Sequence, residues 1–332
     1  MRLARLLTTL AAGLALAAPG AASAACKMAQ IGEIPIVMRD AQPLIEATIN
    51  GQKALLLFDT GAWFSTMSAK GAKRLGLGAV REDRVTSIGV GGEQEVSKVT
   101  TKELRLGSFV AKGAEFFVAR DASLGEDVDG VIGQLYFSRS DVEVDLAHQV
   151  VRLFQPEGCG NGILAYWADA VAATELDPFA LGDGELVATV LVNGKKLRAQ
   201  FDTGAWRSVL ALDRAVALGG QPNAPTTRDL GPLRGFGPNS LPAWSMMFES
   251  FSIGQEAIRN ARLVVADLEK HAPERTSTGS LIAQKVVEQA DMLVGADFFL
   301  SHRVYFARGQ KRMYFTYNGG PVFNVGTASA KP

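Results

Sequence analysis

The chain has 332 residues, enough for two domains of ordinary size or one large β domain. Its 47% hydrophobic and 20% charged residues belong to a globular protein with a core, and 35 glycines favour many turns and short strands over long helices. With 34 basic residues against 34 acidic ones there is no basic surplus, so neither nucleic acid nor an anionic membrane is expected as a partner.

Residues 1–24 read as a signal peptide. Arg2 and Arg5 form a basic start, residues 6–18 are apolar, and Ala22 and Ala24 are the small residues that signal peptidase accepts at −3 and −1. The apolar core is shorter than the roughly 20 residues a bilayer needs, which disfavours an anchor. Removing the segment deletes two arginines and no acids, leaving 32 basic and 34 acidic residues. The expected location is therefore outside the cytoplasm, periplasmic or secreted, with no membrane span after cleavage. Cys26 and Cys159 are the only cysteines. In an oxidising compartment they could form one disulfide, and two free thiols are the alternative.

The chain then says the same thing twice. A strand-like run over residues 44–49 is followed by Asn50-Gly51 and a second run over 54–58, and Asn-Gly between apolar runs is a strong hairpin signal. The second run delivers Phe58-Asp59-Thr60-Gly61-Ala62-Trp63. With an offset of 143, Asn193-Gly194 and Phe201-Asp202-Thr203-Gly204-Ala205-Trp206 repeat this, between runs at 186–192 and 197–201. Each hexapeptide is followed by a short helix candidate, at residues 68–75 and 211–218. Asp129 then leads into Val131-Ile132-Gly133, and Asp291 into Leu293-Val294-Gly295, both followed by aromatic residues. Each half closes on a hairpin-like pair, 142–145 with 150–154 and 303–306 with 313–317. The step from 133 to 295 is 162, or 19 residues more than the first offset, and the surplus is placed in a polar surface insertion over 270–289. Between the halves, residues 155–185 form a glycine-containing connector whose apolar stretch, 163–171, is either a helix or a crossing strand. The expected fold is all-β and bilobal, with an N-terminal lobe at 27–154, a connector at 155–183 and a C-terminal lobe at 184–320.

An aspartate placed directly after an apolar strand sits at the edge of a core, where its charge is costly unless something partners it. Asp-Thr-Gly is also good turn chemistry, and a single copy would mean no more than a turn. Six identical residues at equivalent places in two diverged halves ask for more, because duplicated turns are free to drift.

These hexapeptides, together with Gly89, Gly91 and Gly92 and the Val-Ile-Gly and Leu-Val-Gly segments, resemble the aspartic peptidases. The Ala after Asp-Thr-Gly looks like the retroviral, retropepsin-like branch, while two lobes in one chain look like pepsin. The resemblance covers roughly residues 34–154 and 184–317. It implies that Asp59 and Asp202 face each other across a seam and activate one water against a peptide bond. Two carboxylates a few ångströms apart cannot both ionise cheaply, so one holds a proton and the other does not, and neither could fill both roles alone. The resemblance further implies that Thr60 and Thr203 cross the seam to backbone groups. Gly61 and Gly204 would admit backbone amides close to the carboxylates. Ala62 and Ala205 lack the hydroxyl of pepsin-type enzymes, so the pair should titrate higher than pepsin's and act toward weakly acid or neutral pH. Gly89-Val90-Gly91-Gly92 resembles the flap that closes over substrate backbone, with Arg234-Gly235-Phe236-Gly237 a poorer counterpart. Trp63 and Trp206 depart from the family pattern; either they pack beneath the active loops, which is the favoured reading, or they narrow the cleft and restrict substrates. Ser65 and Ser208 stand where the family often has Ser or Thr.

Competing chemistries have little support. His148, His271 and His302 lack ligand spacing, so no metal or other cofactor is expected, and no nucleophile elbow or phosphate-binding loop is present. The expected function is a monomeric exported endopeptidase acting on peptide or unfolded protein. The alternative is a catalytically silent peptide-binding or scaffolding module of the same fold.

Overall fold

A computed structural model describes residues 26–78, 86–120, 124–125, 127–178, 180, 184–268, 270 and 290–323; the leader at 1–24, most of the 270–289 insertion and His271 lie outside the described residues. Within them the chain is mostly strand, with a few one-turn helices.

Each half begins with the hairpin expected from Asn-Gly. The strand Gln42–Ile49 pairs with Gln52–Phe58, and Val187–Val192 with Lys195–Phe201. Asn50 and Gly51 have φ of 52° and 81°, and Asn193 and Gly194 have 49° and 72°. Positive φ at both central residues gives a turn whose twist matches that of the flanking strands, and Asn and Gly adopt it at least cost. The first helix, Ala69–Arg74, starts where the Oγ of Ser68 accepts the Gly71 amide at 2.9 Å. Its counterpart is Leu212–Ala217.

The strands assemble into three sheets. In the first half, Gly130–Ile132 lies parallel to Gln52–Phe58 on one side and antiparallel to Thr66–Ser68 on the other. In the second half, Met292–Val294 lies in the same way between Lys195–Phe201 and Val209–Ala211. The second-half sheet also closes on itself through pairing of Val187–Val192 with Ser240–Ile253. The third sheet is shared and runs antiparallel: Lys27–Pro35, Val150–Glu157, Asp141–Asp145, His302–Ala307, Arg312–Tyr317, Ala172–Glu175. At its centre Val142 faces Phe306 and Val144 faces Val304, so the closing hairpins of the two halves join edge to edge.

Both faces of this shared sheet are covered. One packs on a core that runs continuously through both halves, from Ile45, Leu56 and Phe58 to Phe201, Phe298 and Phe315. The other is covered by the connector, whose Leu164 and Ala165 pack on Phe154, Tyr305 and Tyr314. Residues 163–171 are therefore neither helix nor strand. They form turns, and it is Ala172–Glu175 just beyond them that joins the sheet. Here a run of apolar residues serves as a lid over aromatic side chains and has no need of regular backbone. Arg303 pins the lid: its guanidinium lies 4.3 Å from the Trp167 ring centroid, donates to the Tyr166 hydroxyl at 3.0 Å and pairs with buried Glu143 at 2.9 Å.

Candidate active site

Asp59 and Asp202 each follow the last residue of a buried strand, Phe58 and Phe201. Their backbone N–H groups donate to Ile132 O at 3.1 Å and Val294 O at 2.9 Å, so the strand inserted alongside fixes the start of each loop. The loops then meet across the seam. The Thr60 hydroxyl donates to Phe201 O at 2.8 Å and accepts the Thr203 amide at 3.0 Å. Reciprocally, the Thr203 hydroxyl donates to Phe58 O at 2.7 Å and accepts the Thr60 amide at 3.0 Å. Both threonines are buried, at 3% and 0% exposure, so these four bonds have no competition from water.

Inside this frame each carboxylate receives two amides from its own loop. Asp59 Oδ1 accepts Gly61 N at 2.7 Å and Ala62 N at 2.9 Å; Asp202 Oδ1 accepts Gly204 N at 2.9 Å and Ala205 N at 3.1 Å. The glycines are sterically required. A methyl group on Gly61 would stand 2.5 Å and 2.7 Å from the Asp202 carboxylate oxygens, and one on Gly204 at the same distances from those of Asp59. Each loop's glycine therefore makes room for the other loop's acid. The two carboxyls face each other across the seam, close enough that each shifts the other's ionisation. Burial is the first cause pushing both above the ordinary carboxylate range. For Asp59 the facing Asp202 charge adds to it, while the loop amides pull both back. The second ionisation of the pair is the one pushed well up, because it places two charges side by side.

Matching buttresses stand behind each loop. Asp129 accepts Leu55 N at 2.9 Å and Arg74 Nε at 2.8 Å; Asp291 accepts Arg198 N at 2.8 Å and Arg214 Nε at 2.7 Å. Ser65 Oγ accepts Gly133 N at 3.0 Å and Ser208 Oγ accepts Gly295 N at 2.9 Å, each tying the hexapeptide loop to the strand beside it.

The halves also differ, in ways sequence reasoning missed. Ser208 donates through its hydroxyl to Asp297 at 2.7 Å and through its amide at 2.9 Å, and burial raises the Asp297 carboxyl to about 6. The corresponding residue of the first half is Leu135. On the first side, buried Gln134 donates from Nε2 to Thr60 O and accepts at Oε1 from Arg308 Nη2. In the second half Ala296 stands at the place of Gln134.

The tryptophans do not behave alike. The half-buried Trp63 ring covers Gly184 and meets Phe64 edge-on. Trp206 is 44% exposed, with the Arg207 guanidinium 5.0 Å from its ring centroid. Packing beneath the loop, expected for both, therefore fails for Trp206. Its neighbour is a cation that stacks over the ring, whereas Trp63 has the aromatic Phe64.

Gly89-Val90-Gly91-Gly92 is the tip of a hairpin between Thr86–Gly89 and Gly92–Thr100, and it touches the Arg234-Gly235-Phe236-Gly237 turn of the other half. Gly91 N donates to Phe236 O at 2.8 Å, and Gly91 O accepts the Asn239 side chain at 2.8 Å. Val90, like Leu230 and Leu233, packs on the apolar cluster around Val209, Leu241 and Val264. Together these contacts bridge the two halves. Cys26 and Cys159 are joined by a disulfide that ties the first strand of the shared sheet to the connector. Among the described residues no group of three or more His, Cys, Asp or Glu could hold a metal ion, and no helix is long and apolar enough to cross a membrane.

Comparison with known proteins agrees with this geometry. The aspartyl protease family model matches residues 45–136 and again 188–298. An aspartic proteinase from Irpex lacteus shares the fold, with a TM-score of 0.51 at 13% identity over 86% of this chain and 97% of its own. A retropepsin-like aspartic protease from Rickettsia conorii aligns with 40% of this chain and 94% of its own, at 20% identity and a TM-score of 0.29. The search of curated proteins found no match. Matched in both halves, over well more than half its length, the chain belongs to the aspartyl protease family.

Proposed function

We propose that this protein is an exported aspartic endopeptidase in which Asp59 and Asp202 share one proton and activate a water molecule. The observation that carries the reading is the pair of carboxyls facing each other within a frame of four buried threonine bonds. The ionised member takes a proton from water as the oxygen attacks the scissile carbonyl carbon. The protonated member donates to the carbonyl oxygen. Collapse of the tetrahedral adduct breaks the C–N bond, and a proton passes to the departing amine. The Thr frame keeps the two acids close enough for each to control the other's proton.

A peptide substrate is supported by the family match, and the bridge between the halves adds a constraint on its form. A chain lying beneath Val90 and Gly91 has to be extended and locally unfolded, which favours flexible peptides over folded proteins. Export is supported by the leader pattern of residues 1–24 and by the disulfide, which suits an oxidising compartment.

The test is a peptide library incubated with the purified protein from pH 3 to pH 8, with product ends read by mass spectrometry. Cleavage rising through weakly acid pH supports the reading, because both carboxyls lie above the ordinary carboxylate range. Peptides retained at all pH values without cleavage would instead favour the silent binding module.

A further inference from the structure

Beside the Ser208–Asp297 contact, the pseudo-twofold arrangement is broken at a second place behind the acids. The offset of 162 that carries Gly133 onto Gly295 also carries Gln134 onto Ala296 and Leu146 onto Arg308. In one direction the solution is apolar: Leu146 and Ala296 are both buried in the main core, and the 3-10 turn Leu146–His148 packs on the helix Ala296–Ser301. In the other direction it is polar. Arg308, at the end of the second-half strand His302–Ala307, reaches Gln134, which is 3% exposed and reaches Thr60 O.

The bonds line up in one sense. Arg308 Nη2 donates to Gln134 Oε1, and Gln134 Nε2 donates to Thr60 O. On the other side of that same peptide unit, Gly61 N donates to Asp59 Oδ1 at 2.7 Å. The donors run from a cation toward the Asp59 loop, and the Gly61 amide that ends the line bonds Asp59 Oδ1 while also lowering Asp202. Such chains polarise from bond to bond, so each one strengthens the next. The arrangement is a poor choice for packing alone. Burial works against the Arg308 charge, and its Nε is buried without a hydrogen-bond partner. The other half does the same packing with Leu and Ala, and apolar replacements of buried ionic groups are commonly neutral or better for stability.

We propose that Gln134 and Arg308 are positioning residues that favour ionised Asp59, making Asp59 the base that deprotonates water and Asp202 the acid that protonates the carbonyl. This deepens the peptidase reading and rests on it. Beyond burial, the facing Asp202 charge and the side-chain interaction between the acids both raise Asp59, and that interaction lowers Asp202, so the pair's own contact opposes the assignment. The pair holds one charge between them, though, and the relay is an asymmetric feature on the Asp59 side that pulls the charge toward that residue; on the other side stands Asp297, bonded to Ser208. The titratable groups around it are Asp202 opposite Asp59, and Asp141 and Tyr305 beneath Arg308. Asp141 Oδ1 accepts the Arg308 backbone amide at 2.9 Å, and Asp141 Oδ2 accepts the Tyr305 hydroxyl at 3.2 Å. Neither bond involves the guanidinium, so both survive its removal.

The double variant Gln134→Ala/Arg308→Leu copies the apolar solution of the other half, and Gln134→Met cuts the relay with little change in volume. The carboxyl carbons of Asp59 and Asp202 are titrated by 13C NMR in wild type and variants, beside the pH profile of kcat/KM on a cleaved peptide. The expected result is that the first ionisation of the pair and the acid limb of the profile both move up by about one pH unit, a roughly tenfold loss of rate on that limb. It should also leave Asp202 the earlier of the two to ionise. A folded variant with an unmoved first ionisation would overturn the relay. The NMR titration needs no substrate, so it decides the relay even if the protein cuts no peptide, an outcome that would count against the peptidase reading alone.

Discussion

Thr203→Val is the sharpest probe of how the two halves are held together. The substitution keeps the volume and branching of the side chain and removes one hydroxyl. That hydroxyl accepts the Thr60 amide at 3.0 Å and donates to Phe58 O at 2.7 Å. Thr203 is fully buried, so both former partners are left without water. Each stranded backbone group costs about 1–3 kcal/mol, which puts the loss at about 2–6 kcal/mol. Urea unfolding at fixed pH reads this as a lower midpoint, with an unchanged slope if the transition stays two-state. Thr203→Ser, which retains the hydroxyl, should recover most of the loss. Thr60→Val should behave in the same way, since its hydroxyl makes the mirror-image pair of bonds to Phe201 O and the Thr203 amide. A Thr203→Val protein less than about 0.5 kcal/mol weaker than wild type would refute the claim that these bonds carry the seam.

Three further outcomes are expected. Gly204→Ala places a methyl 2.5 Å from a carboxylate oxygen of Asp59, so peptide cleavage should fall by about a thousandfold while far-UV circular dichroism stays that of a folded β protein. Asp297 holds its proton up to about pH 6 in the fold, against about 3.8 when free. Its contribution to stability is thus full below about pH 4 and is lost as pH rises through 6, about 3 kcal/mol in all. In Asp297→Asn that part of the pH dependence of unfolding should vanish, and an unchanged slope between pH 4 and 7 would contradict it. Finally, Val90→Ser removes the apolar anchor of the bridge between the halves, and hydrogen exchange at the Gly91 amide should speed by about tenfold.

Local signals carried most of this fold in the sequence. The Asn-Gly turns, the repeated hexapeptide and the Asp-led apolar triplets each state their own conformation, and they also fixed the identity of the paired acids. What stayed hidden depends on partners distant in sequence. Lys27–Pro35 and Ala172–Glu175 carry no clear alternation, and each is a strand because Lys27 meets Glu157 and Ala172 meets Phe315. The 163–171 stretch looked regular because it is apolar, yet its apolar residues serve a surface already made by Phe154, Tyr305 and Tyr314. Asp297 and Gln134 were passed over for a related reason. Each matters only through a contact across the fold, to Ser208 in one case and to Thr60 and Arg308 in the other. The repeat itself held a clue, since the polar residues Gln134 and Arg308 face Ala296 and Leu146 when the halves are aligned.

The central claim is that the two carboxyls work as one unit, and replacing each in turn tests it most directly. Asp59→Asn and Asp202→Asn are nearly isosteric and keep an oxygen to accept the loop amides. On the best substrate from the library, each alone should lower kcat at least a thousandfold with the melting temperature held or raised, since a costly buried charge is removed. A variant of either residue that keeps more than about a tenth of wild-type kcat would contradict a shared-proton dyad.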